Sequence, residues 1–283
     1  MTTGDTWAPS DECGAARPAL IPEVYDSAAL PGPLPADGPP AVSLWLVRTV
    51  PEAGLHDTAV LDAGERKRTA AFVRPGDRDT YATSHSALRR LLGAYLDRDP
   101  AALRFVREPC PCCDEPHGRP ALAGAGMPLH FSLSHTGDMA LIGFARTPVG
   151  VDIEKPASPR TVAEVSGMLH PQERATLDAL PEAGRPAAFA RCWTRKEACL
   201  KGKGSGLAGD LMTTTLVGAG PVPIPVPGWE MADVTVPDGY AAACAVRTGG
   251  VGGCPGAGVS AGSVGPGGPP CSWAVLAACG GGA

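Results

Sequence analysis

From residue 41 to residue 248 the apolar positions keep two rhythms, stretches of period two and stretches of period near 3.6. Residues 41–47 alternate small or polar with bulky apolar side chains and predict a strand. Residues 61–72 predict a short helix. Residues 76–96 predict a longer one, with Tyr81, Leu88, Leu91, Leu92 and Tyr95 on one face. Strands are expected at 103–106, 129–133, 139–145 and 149–154, and helices at 159–168, 171–180 and 184–202. The last helix carries Pro186 near its first turn, where a missing N–H costs nothing. Strand patterns return at 213–217, 229–235 and 240–247. Strand, helices and strands thus occur twice, which predicts an α+β chain of two pseudo-symmetric α/β halves, residues 41–148 and 149–248. An ungapped offset of 108 residues agrees: Glu65 and Arg66 fall on Glu173 and Arg174, and Tyr81, His85 and Leu88 fall on Phe189, Trp193 and Lys196.

Composition changes this picture mainly at the ends. Residues 249–283 hold 13 Gly and 4 Pro, too few bulky apolar groups to offset the entropy of ordering, so a disordered Gly-rich tail is expected. Residues 1–40 hold 8 Pro and are expected to be partly disordered. A net charge of −5 without a basic run disfavours a nucleic-acid partner. Neither a signal-like start nor an apolar stretch of about 18 residues is present, so a cytoplasmic chain with no membrane partner is expected. The ten cysteines are then expected to be reduced. Four of the five lysines, Lys155, Lys196, Lys201 and Lys203, crowd into one segment together with the acids considered next.

Gly150-Val-Asp-Ile-Glu154 puts Asp152 and Glu154 on one face of a strand, with Val151 and Ile153 on the other. Two such carboxylates can share a hard divalent cation or can simply form a solvated strand end. In the helix at 184–202, Trp193, Glu197 and Lys201 recur at i, i+4 spacing. Glu197 and Lys201 read either as a helical ion pair or as a third metal acid with a phosphate-binding lysine. Ser134, His135 and Thr136 offer donors to a phosphate or make an ordinary polar turn, and Arg66, Lys67 and Arg68 form a basic cluster or a solvated helix face. Cys110, Cys113 and His117 have the spacing of three zinc ligands, although a second Cys/His pair is missing, and make a candidate structural zinc site.

The segments FSLSHT, GVDIE and WTRKEACLK, in this order, resemble the 4′-phosphopantetheinyl transferases, specifically the larger single-chain type serving carrier proteins of polyketide, nonribosomal peptide or siderophore synthesis. The resemblance covers roughly residues 45–247. It implies two α/β halves with coenzyme A between them and Mg²⁺ as cofactor, the metal acids falling on Asp152, Glu154 and Glu197. It implies catalytic roles for Glu197 and Lys201, and coenzyme A contacts at Ser134, His135, Arg66 and Arg68 and from Lys201. The family's Gly-Lys-Pro element stands here as Gly118-Arg119-Pro120, which implies a further coenzyme A phosphate contact at Arg119, and Arg for Lys keeps the phosphate-binding charge while changing its geometry. The implied reaction moves the phosphopantetheine arm to a serine of an apo carrier protein and releases adenosine 3′,5′-bisphosphate, and a monomer is expected. Two other readings of the same residues are a metal-dependent phosphohydrolase and a non-catalytic carrier-protein or zinc-binding module.

Overall fold

A computed structural model describes residues 19–33, 42–49, 58–124, 129–206 and 211–248. The expectations for residues 1–18 and for the tail at 249–283 lie outside these residues. A short strand β1 (Glu23–Val24) is followed by β2 (Ser43–Arg48), α1 (Ala63–Ala71) and α2 (Pro75–Leu96). Then come β3 (Phe105–Arg107), β4 (Pro120–Leu122), β5 (His130–Thr136), β6 (Met139–Ala145) and β7 (Val149–Glu154). Helices α3 (Pro159–Val165), α4 (Pro171–Asp178), α5 (Arg185–Lys203) and α6 (Leu211–Thr214) precede β8 (Trp229–Asp233) and β9 (Ala241–Arg247). Architecture and order are those of a mixed α+β chain.

The strands form one sheet in the order β1-β2-β6-β5 and another in the order β7-β9-β8, with β3 and β4 pairing by themselves. Side-chain alternation decides what each face covers. Trp45, Val47, Ile142 and Phe144 pack with Leu88, Leu91 and Leu92 of α2. Leu44, Leu46 and Leu141 point the other way and meet Val151, Ile153 and Cys244 of the second sheet. The far face of that sheet, through Ala243, Ala245 and Met231, packs on Cys192, Cys199 and Leu200 of α5. The layers therefore run helix, sheet, sheet, helix, with α1 packed on α2 and with α3 and α4 packed on α5, whose side chains are mostly buried.

Two helix starts are built alike. Asp62 accepts the Glu65 N–H while Glu65 accepts the Asp62 N–H, a reciprocal cap. The same exchange joins His170 and Glu173, 108 residues on. Each glutamate then meets a buried cation from the following long helix: Arg89 at 2.6 Å from Glu65 and Lys196 at 2.8 Å from Glu173.

The strand expected at 213–217 is absent; Leu211–Thr214 is a helical turn and the chain after it is irregular. Its polar backbone is already committed, because Thr215 O accepts from Lys196 and the N–H groups of Val217 and Gly218 donate to Glu173. No ladder can use them. Sequence reasoning also passed over β1, where the Tyr25 N–H donates to Leu46 O at 2.9 Å and the Tyr25 side chain is buried. The two-residue pairing is too short to leave an alternating pattern.

Candidate active site

The site forms where α5 crosses β7. A Cβ on Gly150 would stand 1.9 Å from Ala198 O and 2.4 Å from Gly202 N, so only glycine lets the helix lie this close. Gly202 is equally confined: its own Cβ would meet the Trp229 ring at 2.5 Å. Asp152 and Glu154 share the strand face of Gly150 and are carried toward α5, which presents Glu197 and Lys201 on either side of that crossing. Val151 and Ile153 are fully buried on the opposite face.

Lys201 Nζ donates to Asp152 Oδ1 at 2.6 Å and to Ser134 Oγ at 2.9 Å, and Ser134 Oγ donates to the same Oδ1 at 2.7 Å. Three segments far apart in sequence, β5, β7 and α5, thus meet in one triangle. Asp152 Oδ2 and Glu197 Oε1 are buried and have no hydrogen-bond partner among the described residues. Buried carboxylate oxygens are ordinarily satisfied, so this pair points to something more strongly bound than water.

Electrostatics leads to the same place. Burial, followed by the charge of Asp152, pushes the Glu154 carboxyl up to about 8 and the Glu197 carboxyl up to about 7. Lys201 opposes both shifts but cannot cancel them. Burial works against the charge on Lys201 itself, yet Asp152 and Glu197 hold its pKa above the usual lysine value. The charges of three acids bear on one lysine and two of their oxygens are orphaned, which is oxygen chemistry that a hard divalent cation such as Mg²⁺ accepts, although the three acids do not bring their oxygens within 4.8 Å of one another.

Beyond this centre lies a rim of basic side chains. His135 is the penultimate residue of β5; desolvation, with His85 and Lys201 acting the same way, pushes its pKa down to about 4, so its imidazole is neutral at physiological pH. The Arg68 guanidinium adds to that field and lies 5.8 Å from the centre of the Tyr81 ring, on which His85 stacks at 4.0 Å. His85 was missed as a site residue in sequence. Its signal is the i, i+4 spacing from Tyr81 on the α2 face. Thr136, a possible phosphate donor by sequence, donates a hydrogen bond to Glu154.

Two expected contacts are otherwise engaged. Arg66 donates to Leu61 O and lines, with Arg78, Thr58 and Thr69, a pocket of about 440 Å³ beside α1. Arg119 pairs with Glu108 at 2.7 Å and donates to Gly202 O at 2.9 Å, next to Lys201 in the chain. Its buried Nε has no partner among the described residues. A further cavity of about 360 Å³, lined by Arg98, Arg104 and Leu122, contains none of the residues above. Cys110, Cys113 and His117 bring their ligand atoms within 4.8 Å of one another on the loop between β3 and β4. None of the described cysteines, Cys110, Cys112, Cys113, Cys192, Cys199 and Cys244, is in a disulfide.

Comparison with known proteins gives three results that bear on this geometry. The 4′-phosphopantetheinyl transferase superfamily model matches residues 148–218, the segment from β7 through α5 that supplies all three acids and Lys201. The chain is 31% identical over 214 residues to the 4′-phosphopantetheinyl transferase HetI of Nostoc sp., an alignment covering 72% of this chain and 87% of HetI. It is 26% identical over 161 residues to the 4′-phosphopantetheinyl transferase Sfp of Bacillus subtilis, covering 55% of this chain and 70% of Sfp.

Proposed function

Because the chain belongs to the 4′-phosphopantetheinyl transferase superfamily and is an enzyme of that class, we propose that it transfers the 4′-phosphopantetheine arm of coenzyme A to a serine of an apo carrier protein, with Mg²⁺ and with release of adenosine 3′,5′-bisphosphate. The observation that carries the metal-dependent reading is the pair of buried, unpartnered oxygens on Asp152 and Glu197 beside the Lys201 triangle. Asp152, Glu154 and Glu197 would hold Mg²⁺, which when bound neutralises the pyrophosphate and eases the approach of an alkoxide.

The remaining roles follow from the chain's own groups. Glu197, one turn before Lys201 on the same helix, is the candidate base for the serine proton, directly or through water. Lys201 stays charged and is positioned at 2.6 Å from Asp152, where it can meet negative charge growing on the leaving phosphate. His135, Arg68 and His85 form the rim that receives the remaining phosphate groups of coenzyme A; Ser134 fixes the Lys201 and Asp152 orientations. Arg119 would act through Gly202, holding the end of α5, and Arg66 would have to leave the Leu61 carbonyl to reach a phosphate.

The reading of two pseudo-symmetric halves around the active site is supported by matching strand orders, β2-β6-β5 and β7-β9-β8, and by the paired glutamate caps 108 residues apart. The substrates are those of polyketide, nonribosomal peptide or siderophore assembly, and the enzyme works as a cytoplasmic monomer without nucleic acid or membrane. No helix among the described residues is long and apolar enough to cross a membrane. The test is release of adenosine 3′,5′-bisphosphate from coenzyme A with an apo carrier present. Release should require Mg²⁺ and vanish in Asp152→Ala; undiminished release by that variant would overturn the metal assignment.

A further inference from the structure

The transferase chemistry leaves one constellation without a task. Between β3 and β4 the chain turns through Cys110, Pro111, Cys112, Cys113 and Asp114, with Asp114 in the left-handed region at φ 59°. The Cys113 and Asp114 N–H groups donate to Cys110 O at 3.3 and 2.8 Å, which curls the two cysteines toward one point. The Cys112 and Cys113 N–H groups also face the Cys110 sulfur. His117 closes the loop, its Nε2 lying 3.1 Å from Cys113 Sγ. One sulfur of the three-ligand set is buried, the other exposed, and the imidazole is half-buried between solvent and the hairpin.

Two thiolates and an imidazole on a tight turn suit a borderline-soft cation with small coordination number; hard Mg²⁺ and Ca²⁺ prefer oxygen. Tetrahedral zinc with its usual bond lengths would set ligand atoms about 3.5–3.8 Å apart, within the 4.8 Å seen here. A disulfide between Cys110 and Cys113 would leave His117 with no reason to face the pair. Charge balances as well, since Zn²⁺ with two thiolates and a neutral imidazole sums to zero and binding releases the two thiol protons to water.

The loop is also placed to matter. Gly118 N donates to Glu108 O and Glu108 N to Arg119 O, closing the hairpin just below the cluster. A Cβ on Gly118 would meet Glu108 O at 2.5 Å, so the chain can close there only with glycine. From this closed base Arg119 reaches Gly202 O at the end of α5.

We propose that Cys110, Cys113 and His117 bind one structural Zn²⁺, with water in the fourth position, and that this ion closes the β3–β4 loop so that Arg119 is held against the end of α5. Arg119 is in this scheme a positioning residue, and the zinc takes no part in transfer. The proposal does not depend on the Mg²⁺ centre, which is built from other residues.

The test uses the full chain, expressed with zinc in the medium and purified under reductant without chelator, and elemental analysis of the product. Wild type and Cys112→Ser should carry close to one zinc per chain; Cys113→Ser and His117→Ala, both at solvent-reaching positions, should carry little or none. Substitution by Co²⁺ should give the visible absorption of a tetrahedral thiolate site in wild type and not in Cys113→Ser. Hydrogen exchange across residues 107–120 should quicken when zinc is stripped from wild type, while β5 and β6 stay protected. Wild type that takes up no zinc, a Cys110–Cys113 disulfide in the reductively purified chain, or full zinc content in His117→Ala would each overturn the proposal, and none of these would touch the transferase assignment.

Discussion

Replacing Gly150 by Ala should damage catalysis and stability together, because one methyl group would stand where α5 crosses β7. The new Cβ would lie 1.9 Å from Ala198 O, against an ordinary carbon–oxygen contact of about 3.3 Å, so the helix has to withdraw by roughly 1.4 Å. Ala198 adjoins Glu197, and Gly202, whose N would be 2.4 Å away, adjoins Lys201. Withdrawal therefore moves both away from Asp152. Overpacking of this kind costs about 1–3 kcal/mol of stability. A misplacement near 1 Å costs about 100-fold in rate, or about 2.7 kcal/mol in barrier height. Urea unfolding followed by circular dichroism measures the first quantity, and single-turnover transfer at saturating coenzyme A measures the second. Gly167→Ala is the control, since nothing lies within 4 Å of the added Cβ, and should stay within about 0.5 kcal/mol of wild type. A Gly150→Ala protein with the wild-type midpoint and wild-type rate would refute the claim that this contact sets the site.

Three other perturbations follow from the same structure. Without metal the raised carboxyls of Glu154 and Glu197 make the native chain bind more protons than the unfolded chain between pH 4.5 and about 8, so stability falls as pH rises through that window. Mg²⁺ displaces those protons, and its stabilising shift in melting temperature should grow from pH 6 to pH 8.5; a shift that shrinks with pH would contradict the cluster. Lys196→Met leaves Glu173 charged and buried, which should cost about 3–5 kcal/mol by denaturant unfolding; a loss below about 1 kcal/mol would show that the pair is not what holds α4 on α5. His135→Ala should raise KM for coenzyme A with little effect on kcat, and less so with dephospho-coenzyme A; equal losses with both would mean that His135 does not meet the 3′-phosphate.

Much of this was legible in the sequence because local periodicity and local chemistry agreed. The helix expected at 184–202 forms as Arg185–Lys203, with Pro186 in its first turn and Gly204 closing it at φ 79°. The i, i+2 spacing of Asp152 and Glu154 and the i, i+4 spacing of Glu197 and Lys201 were enough to put each pair on one face of its own element. What could not be read was long-range. The close approach at Gly150 depends on a helix about 50 residues later, and the bond from Lys201 to Ser134 spans 67 residues. The Thr-rich segment at 213–217 has strand propensity, but the Lys196 and Glu173 side chains take its backbone groups and tertiary demand prevails. The long-range partners of Arg119 were equally out of reach of sequence: its side chain meets Glu108 and, 83 residues on, the Gly202 carbonyl.

The central claim is transfer of phosphopantetheine to a carrier serine, and intact mass spectrometry of the carrier tests it most directly. Apo carrier proteins of polyketide, peptide and siderophore type would be incubated with the full chain, coenzyme A and Mg²⁺, beside reactions without enzyme and with Asp152→Ala. The account predicts that at least one carrier gains the mass of a single phosphopantetheine, located on one serine, only with the wild-type chain and only with Mg²⁺. Unmodified carriers throughout, with coenzyme A hydrolysed instead, would contradict it and mark the three acids as those of a phosphohydrolase.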